Sequence, residues 1–182
     1  MSITAMADNS PPFFVLTGPP GAGKTTLLEA LGDRVKTVDE PARRVLARAR
    51  KTGNGATGEE NPEKFISHML RCAREDYRSA TGLTVFDRAV PDLLAYCEYY
   101  ELSDQAVIKA AQAHPYRSPA FFLPAWEEIY ATDDERTLTF SGALAFGERV
   151  KTAYQSSGYG LLTVPVGDPA ARADFVWQRI RN

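Results

Sequence analysis

Phe13-Phe14-Val15-Leu16-Thr17-Gly18-Pro19-Pro20-Gly21-Ala22-Gly23-Lys24-Thr25 is the most informative stretch of the chain. Its first five residues form a short apolar run with the composition of a buried β-strand. Beyond it, Leu27, Leu28 and Leu31 follow at helical spacing, and Gly32 stands where a helix C-cap is expected. The sequence therefore predicts a strand, a tight glycine-rich turn and a helix in direct succession.

The glycine-rich turn, residues 18–25, fits the P-loop pattern Gly-x-x-x-x-Gly-Lys-Ser/Thr. Glycines let backbone N–H groups surround phosphate oxygens, and the N-terminus of the following helix adds positive potential. We expect Lys24 to act in catalysis at the β- and γ-phosphates of ATP, and the Thr25 hydroxyl to ligate Mg²⁺. The alternative is a glycine-rich turn with an exposed lysine. The expected nucleotide-binding residues are Gly18, Pro19, Pro20, Gly21, Ala22, Gly23, Lys24, Thr25 and Thr26.

Four further apolar runs alternate with helical segments along the rest of the chain. The runs are at residues 35–39, 83–86, 120–123 and 161–164, and the helices are expected at 41–51, from 62, at 89–100, 103–113, 140–155 and after the cap at 168. Short apolar strands separated by helices are typical of a parallel sheet buried on both faces. We expect a disordered leader at 1–12, then one three-layer α/β/α domain at 13–182 with a five-stranded parallel sheet, a mobile loop at 52–61 and a lid at about 124–139.

Composition and charge exclude several classes of protein. The 182 residues are 44% hydrophobic and 24% charged, as in ordinary globular domains, and the net charge of −2 gives no excess for binding nucleic acid or an anionic membrane. We expect no membrane span, because no apolar run approaches the roughly 20 residues that a bilayer requires. Cys72 and Cys97 lack metal-ligand spacing, so two free thiols in the cytoplasm are expected. Composition leaves the oligomeric state open.

An Asp-Arg pair at the end of the third predicted strand is the second candidate for chemistry. Asp87 could hold an Mg²⁺ water or accept the proton of a substrate hydroxyl, or it could merely cap the helix that follows. Arg88 could hold a transferred phosphate, or it could form a structural ion pair. Glu40, at the end of the second strand, could bind the acceptor, replace Asp87 as base, or interact with the next helix dipole.

The order of these motifs resembles the AAA-type "predicted ATPase" P-loop family, which is related to the nicotinamide riboside kinase domain, and more distantly the thymidylate kinases. The resemblance covers nearly the whole chain from Phe13, although Ala89 stands where many members have glycine. The residues that carry it after the P-loop are Glu40-Pro41-Ala42-Arg43, Phe86-Asp87-Arg88, Asp92, Ala95-Tyr96, Trp126, Tyr130, Asp134-Glu135-Arg136, Tyr159-Gly160 and Val164-Pro165. It implies a kinase-like fold more firmly than it implies a substrate.

The expected function is an ATP·Mg²⁺-dependent phosphotransferase that acts on a small, nucleoside-like acceptor. Arg136 is expected to close with the lid over the phosphates, or else to form surface ion pairs with the acids beside it. Of the five cations at 43–51, only Arg43 is expected near the acceptor, and the others on solvated faces. Tyr96, Tyr99, Tyr100 and Trp126 could stack on a base or belong to the core. The alternative function is a regulatory ATPase that acts through a protein partner.

Overall fold

The computed structural model describes residues 10–53, 57–130 and 138–181. These residues form five strands and seven helices. The elements are β1 (Phe13–Thr17), α1 (Lys24–Leu31), β2 (Lys36–Val38), α2 (Pro41–Thr52), α3 (Pro62–Ser79), β3 (Thr84–Asp87), α4 (Asp92–Tyr99), α5 (Gln105–Ala113), β4 (Ala120–Phe122), α6 (Phe140–Ser156), β5 (Leu161–Thr163) and α7 (Pro169–Ile180), with 3₁₀ turns at Gly32–Arg34 and Glu127–Ile129.

The sheet is parallel throughout, with the strand order β2-β3-β1-β4-β5. β1 is central, and its residue Leu16 stands beside Asp87 of β3 and Phe121 of β4. The carboxyl ends of β1 and β3 therefore meet at one edge of the sheet, where parallel α/β sheets bind their ligands. The predicted five-stranded parallel sheet is confirmed.

Helices cover both faces of the sheet, and the alternation of side chains along β1 sets the two faces. Leu16 packs with α1 and α7 in a cluster that includes Leu27 and Val176. Phe13 and Val15 point the other way and pack with α4 and α6. A further cluster joins α2, α3, α4 and α5. This arrangement is the predicted three-layer α/β/α fold.

The edge strands differ from the prediction of strands buried on both faces. Lys36 and Thr37 of β2 are exposed, and no residue of β5 is buried. Each of these strands has a single neighbour in the sheet, so one side of its backbone and part of its surface face outward. The helix predicted at 89–100 also begins later, at Asp92, because residues 88–91 form a turn in which the Asp92 carboxylate accepts a hydrogen bond from the Ala89 N–H.

Two predicted segments fall partly outside the described residues. The undescribed parts are residues 54–56 of the predicted loop at 52–61 and residues 131–137 of the predicted lid, which include Arg136. The described part of the lid contains the 3₁₀ turn Glu127–Ile129. The extent of the single domain and of its leader remains a prediction. Among the described helices, none has the length and apolar character needed to cross a bilayer.

Candidate active site

The loop between β1 and α1 curls around the ammonium group of its own lysine. Lys24 begins α1, and its Nζ donates hydrogen bonds to the carbonyl oxygens of Pro19 (3.0 Å) and Gly18 (3.5 Å). Burial and the neighbouring Arg88 guanidinium lower the pKa of Lys24 to about 8, while Asp87 opposes the shift. The lysine is only 6% exposed, so the alternative of an exposed lysine is wrong.

Side chains from distant elements close around the glycines of this loop. The ring of Tyr130 lies against Gly21, where an added Cβ would come within 2.7 Å of it. Arg172 of α7 lies against Gly23 and donates from Nη2 to the Ala22 carbonyl (3.2 Å). At Gly21, where φ is +76°, the ring leaves no room for a side chain, and at Gly23, where φ is +80°, a side chain would be strained and would have to displace the end of Arg172.

Asp87 lies at the carboxyl end of β3, beside the loop at residues 18–23 between β1 and α1, which we call the phosphate loop after its P-loop sequence. Its side chain is buried, and its Oδ1 has no hydrogen-bond partner among the described residues. Burial raises the pKa of Asp87 to about 6, although the nearby Lys24 ammonium acts against that rise. Asp87 does not cap the next helix, since the N-cap of α4 is Pro91 and the N–H of Ala89 is bonded by Asp92 instead. The capping alternative is therefore wrong.

An unpartnered carboxylate oxygen near a phosphate loop fits a hard cation such as Mg²⁺, which prefers oxygen ligands. Thr25, the other predicted ligand, lines the cavity beside the loop. Within the described ranges, no three His, Cys, Asp or Glu side chains cluster as a metal site of their own.

Arg88 forms the structural ion pairs that were its alternative role. Its Nε donates to Glu40 Oε1 (2.8 Å) and its Nη1 to Asp92 Oδ1 (2.9 Å), while the side chain is only 3% exposed. The backbone of Arg88 has φ +67°, a left-handed conformation that turns the chain sharply after β3. A contact with phosphate could use Nη2 or the second N–H of Nη1, which these two bonds leave over.

Glu40 differs from Asp87 in its electrostatic surroundings. Burial alone would raise the pKa of Glu40, but Arg88 and Lys24 together outweigh it and hold the pKa below its usual value. Glu40 is therefore a weak base, and of the two carboxylates Asp87 is the better proton acceptor. The second oxygen of Glu40 lies 3.7 Å from Nε of Arg43, so it is paired only loosely.

Asp92 is the centre of a buried hydrogen-bond network that sequence reasoning did not find. Its Oδ1 accepts from Thr17 Oγ1 (2.6 Å) and Arg88, and its Oδ2 accepts from Tyr154 (2.5 Å) and the Ala89 N–H. The network ties the end of β1 to α4 and α6. No local pattern could reveal it, because Tyr154 lies 62 residues from Asp92 along the chain.

A cavity of about 610 Å³ joins the phosphate loop to a chamber between α2, α3, α4 and α6. The loop contributes several of its walls, and Glu40 and Arg88 lie between loop and chamber. The chamber adds aromatic and cationic side chains. Its lining residues include Arg43, Leu46, Arg50, Phe65, Tyr96, Tyr99, Tyr100 and Phe146. Donor and acceptor could thus occupy one continuous space.

The structure adds to two expectations about this chamber. Arg50 is exposed, as expected, but it also lines the cavity together with Arg43, whereas Arg44 pairs with Asp76 on α3. The three tyrosines line the cavity, while Trp126 is not among its lining residues and has the guanidinium of Arg172 5.9 Å from its ring. The spacing of residues 43 and 50 predicts that they lie on the same face of a helix. It does not predict that this face of α2 is turned toward the cavity.

The solved structures with a similar fold include several kinases. The chain is similar to deoxyadenosine kinase from M. mycoides (11% identity, TM-score 0.62, covering 93% of this chain and 98% of the other). It is also similar to shikimate kinase from Acinetobacter baumannii (18%, 0.62, 94% and 93%) and to thymidylate kinase from Ehrlichia chaffeensis (15%, 0.58, 93% and 98%). At such identities the likeness shows the fold alone. No curated protein matches the chain.

The family to which the chain belongs is shown by a match to a protein-family model, not by these distant structures. The model described as "AAA domain" matches residues 13–172, from β1 into α7. That range includes the phosphate loop, the Asp-Arg pair and the residues of the chamber. The sequence resemblance to an AAA-type P-loop family is thereby confirmed, and the chain belongs to this AAA domain family.

Proposed function

We propose that the protein transfers the γ-phosphoryl group of ATP to a small, nucleoside-like acceptor. The observation that carries the proposal is the cavity that connects the phosphate loop to an aromatic chamber. An enzyme that only hydrolyses ATP needs room for a water molecule beside the γ-phosphate. The cavity of about 610 Å³, part of which ATP itself would fill, extends beyond the loop to the aromatic chamber, and its volume falls in the range of small-molecule sites.

In this proposal the loop residues bind the phosphates of ATP, and Lys24 leaves its carbonyl partners to bind the β- and γ-phosphates. Thr25 and Asp87 would hold Mg²⁺, which would neutralise phosphate charge during transfer. Arg88, fixed by Glu40 and Asp92, would direct Nη2 at the transferred group. Arg136 would act from the lid, although it lies outside the described residues.

The transfer forms one bond and breaks one. An acceptor oxygen bonds to the γ-phosphorus, while the bond from that phosphorus to the β–γ bridging oxygen breaks and ADP leaves with the electron pair. If the acceptor oxygen belongs to a hydroxyl, its proton passes to the Asp87 carboxylate in the alternative in which Asp87 does not hold the metal, and the raised pKa of Asp87 suits it to that role.

The test is ADP release by the wild-type protein with ATP and Mg²⁺, alone and with a panel of nucleosides, nucleotides and vitamins. An accelerating acceptor that gains a phosphoryl group supports the proposal. Equal ADP release with every acceptor, and no phosphorylated product, would identify the regulatory ATPase instead. Lys24→Ala, folded as judged by circular dichroism, should release no ADP under either condition. Unchanged ADP release by that variant would refute a catalytic phosphate loop.

A further inference from the structure

Arg172, near the start of α7, is a buried cation that lies against the phosphate loop. The residue is only 5% exposed. Its Nη2 donates to the Ala22 carbonyl (3.2 Å), its Nη1 would lie 2.8 Å from a Cβ at Gly23, and its buried Nε has no hydrogen-bond partner among the described residues. A guanidinium carries five N–H donors and stays charged in proteins, so one carbonyl satisfies only a small part of it.

Within the part of the chain that the structure describes, no carboxylate pairs with this guanidinium. Asp174 and Asp168, the acidic residues nearest to it in sequence, are engaged elsewhere, since the first pairs with Arg34 and the second caps α7. The Trp126 ring, 5.9 Å from the guanidinium, attracts a cation but carries no net charge. Burial accordingly lowers the pKa of Arg172, and no acidic group opposes that shift.

Two helix N-termini add to the positive potential around Arg172. The residue lies in the first turn of α7, and it contacts Gly23, the N-cap of α1. The N-terminus of a helix carries a partial positive charge, which disfavours a cation and favours an anion. Arg88, by contrast, is buried with two carboxylate partners. The charge of Arg172 is therefore unfavourable for the protein by itself and becomes favourable when an anion binds to the same loop.

We propose that Arg172 is a positioning residue for the phosphate donor, and that its charge is balanced, through the backbone of residues 22–23, by the β- and γ-phosphates of ATP in the phosphate loop. Arg172 is not among the described residues that line the cavity, so it acts through the loop and not by direct contact. The inference rests on the proposed function only in its first step, the binding of ATP, and not on phosphoryl transfer. Arg172 should thus destabilise the nucleotide-free protein and strengthen the binding of polyphosphates.

Calorimetry with ATP and with inorganic triphosphate, combined with urea unfolding of the nucleotide-free protein, tests this inference. Arg172→Met keeps a long unbranched side chain and removes the charge. We expect both ligands to bind this variant about ten times or more weakly than the wild type. The nucleotide-free variant should be at least as stable as the wild type. Arg172→Lys keeps a charge and should retain most of the affinity. Arg179→Met, at an exposed cation about two turns further along α7, is the matched control and should leave both affinities unchanged.

Three results would overturn the inference. A clear loss of stability in nucleotide-free Arg172→Met would show that the arginine supports the structure of the loop. Equal losses of affinity in Arg172→Lys and Arg172→Met would show that its charge is not what the ligand requires. An effect confined to ATP, with inorganic triphosphate bound equally or not at all, would mean that Arg172 acts on another part of the nucleotide. If ATP does not bind the wild type, the inference and the proposed function both fail. The expected binding pattern without phosphoryl transfer would leave the inference standing and refute the proposed function.

Discussion

Two buried aspartates five residues apart have opposite surroundings. Asp92 accepts hydrogen bonds from Thr17, Arg88, Tyr154 and the Ala89 N–H, whereas Asp87 has an oxygen without a partner among the described residues. A carboxylate that is fully bonded stabilises the fold, and one that is buried and poorly bonded does not. Substitution of Asp92 should therefore affect mainly the stability of the fold, and substitution of Asp87 mainly the reaction.

We expect Asp87→Asn to be at least as stable as the wild type at pH 7.5, because it removes a charge whose burial is unfavourable. Turnover should fall by about 10² or more, since an amide neither accepts a proton nor attracts Mg²⁺. ATP should still bind without Mg²⁺. Thermal unfolding measures the stability, ADP release measures the turnover, and calorimetry measures the binding of ATP. Near-normal turnover would mean that Glu40, and not Asp87, acts as the catalytic carboxylate.

Asp92→Asn is the comparison, and it should lose about 3 kcal/mol or more of stability because Arg88 would be left with one buried partner fewer. Urea unfolding of both variants measures the difference. A small loss for Asp92→Asn would mean that the network adds nothing to the fold.

Burial gives the stability of the nucleotide-free protein a pH dependence at Lys24, whose pKa is lowered to about 8. Below pH 8 the lysine is protonated in the folded and unfolded chains alike, so the folded state carries the penalty of a buried charge. Between pH 8 and about 10.4, the usual lysine pKa, only the unfolded chain keeps the proton, so stability increases with pH. The gain is at most about 3 kcal/mol.

Lys24→Met keeps the length of the side chain and cannot titrate. The wild-type protein should therefore gain stability relative to Lys24→Met as the pH rises from 7 to 10, which urea unfolding at each pH measures. The tyrosines that titrate near pH 10 are common to both proteins and cancel in the difference. A difference that does not vary with pH would show that the buried lysine keeps an ordinary pKa.

At the scale of elements, the phosphate loop depends on how closely β4 approaches it. Gly18 has φ +140°, and a Cβ there would overlap the carbonyl oxygen of Leu123, just beyond β4. Gly32 ends α1 with φ +52° and nothing within 4 Å of an added Cβ. A substitution at Gly18 therefore tests the effect of a backbone clash, whereas a substitution at Gly32 tests the effect of conformational strain alone.

Gly18→Ala should lose ATP binding and several kcal/mol of stability, because neither backbone can move without breaking the sheet. Gly32→Ala should lose about 1–3 kcal/mol, because φ +52° with ψ −140° is a backbone conformation that almost only glycine adopts, and the variant should bind ATP normally. Thermal unfolding and nucleotide titration check both. Equal losses in the two variants would mean that Leu123 moves aside.

The elements also show which parts of the molecule the sequence could predict. The phosphate loop, the five strands and the Asp168 cap of α7, which accepts from the Ala170 and Ala171 N–H groups, depend on neighbouring residues and were predicted. The contact of Arg172 with the loop and the bond from Tyr154 to Asp92 depend on how helices pack, so no local pattern contained them. The orientation of α2, which brings Arg50 into the chamber, was missed for the same reason.

At the scale of the whole molecule, the cavity is bordered by the two segments that were predicted to be a loop and a lid. Thr57, Gly58 and Glu59 line it from one segment. Ile129, which is 41% exposed, and Leu138 line it from the other, where the Tyr130 hydroxyl donates to the Leu138 carbonyl (2.5 Å). A ligand that fills the cavity would therefore contact both segments.

We expect ATP with Mg²⁺ to protect both segments from a glutamate-specific protease, which can cleave after Glu59 and Glu60 in one and after Glu127 and Glu128 in the other. Mass spectrometry of the fragments distinguishes the sites. Lys24→Ala, which should bind nucleotide poorly, is the control and should be cleaved at the same rate with or without ATP. Protection of the second segment alone would mean that the donor contacts only that segment, and the acceptor that accelerates ADP release should then protect the first. If the cleavage rates of both segments were the same with and without each ligand, neither segment would close over the cavity.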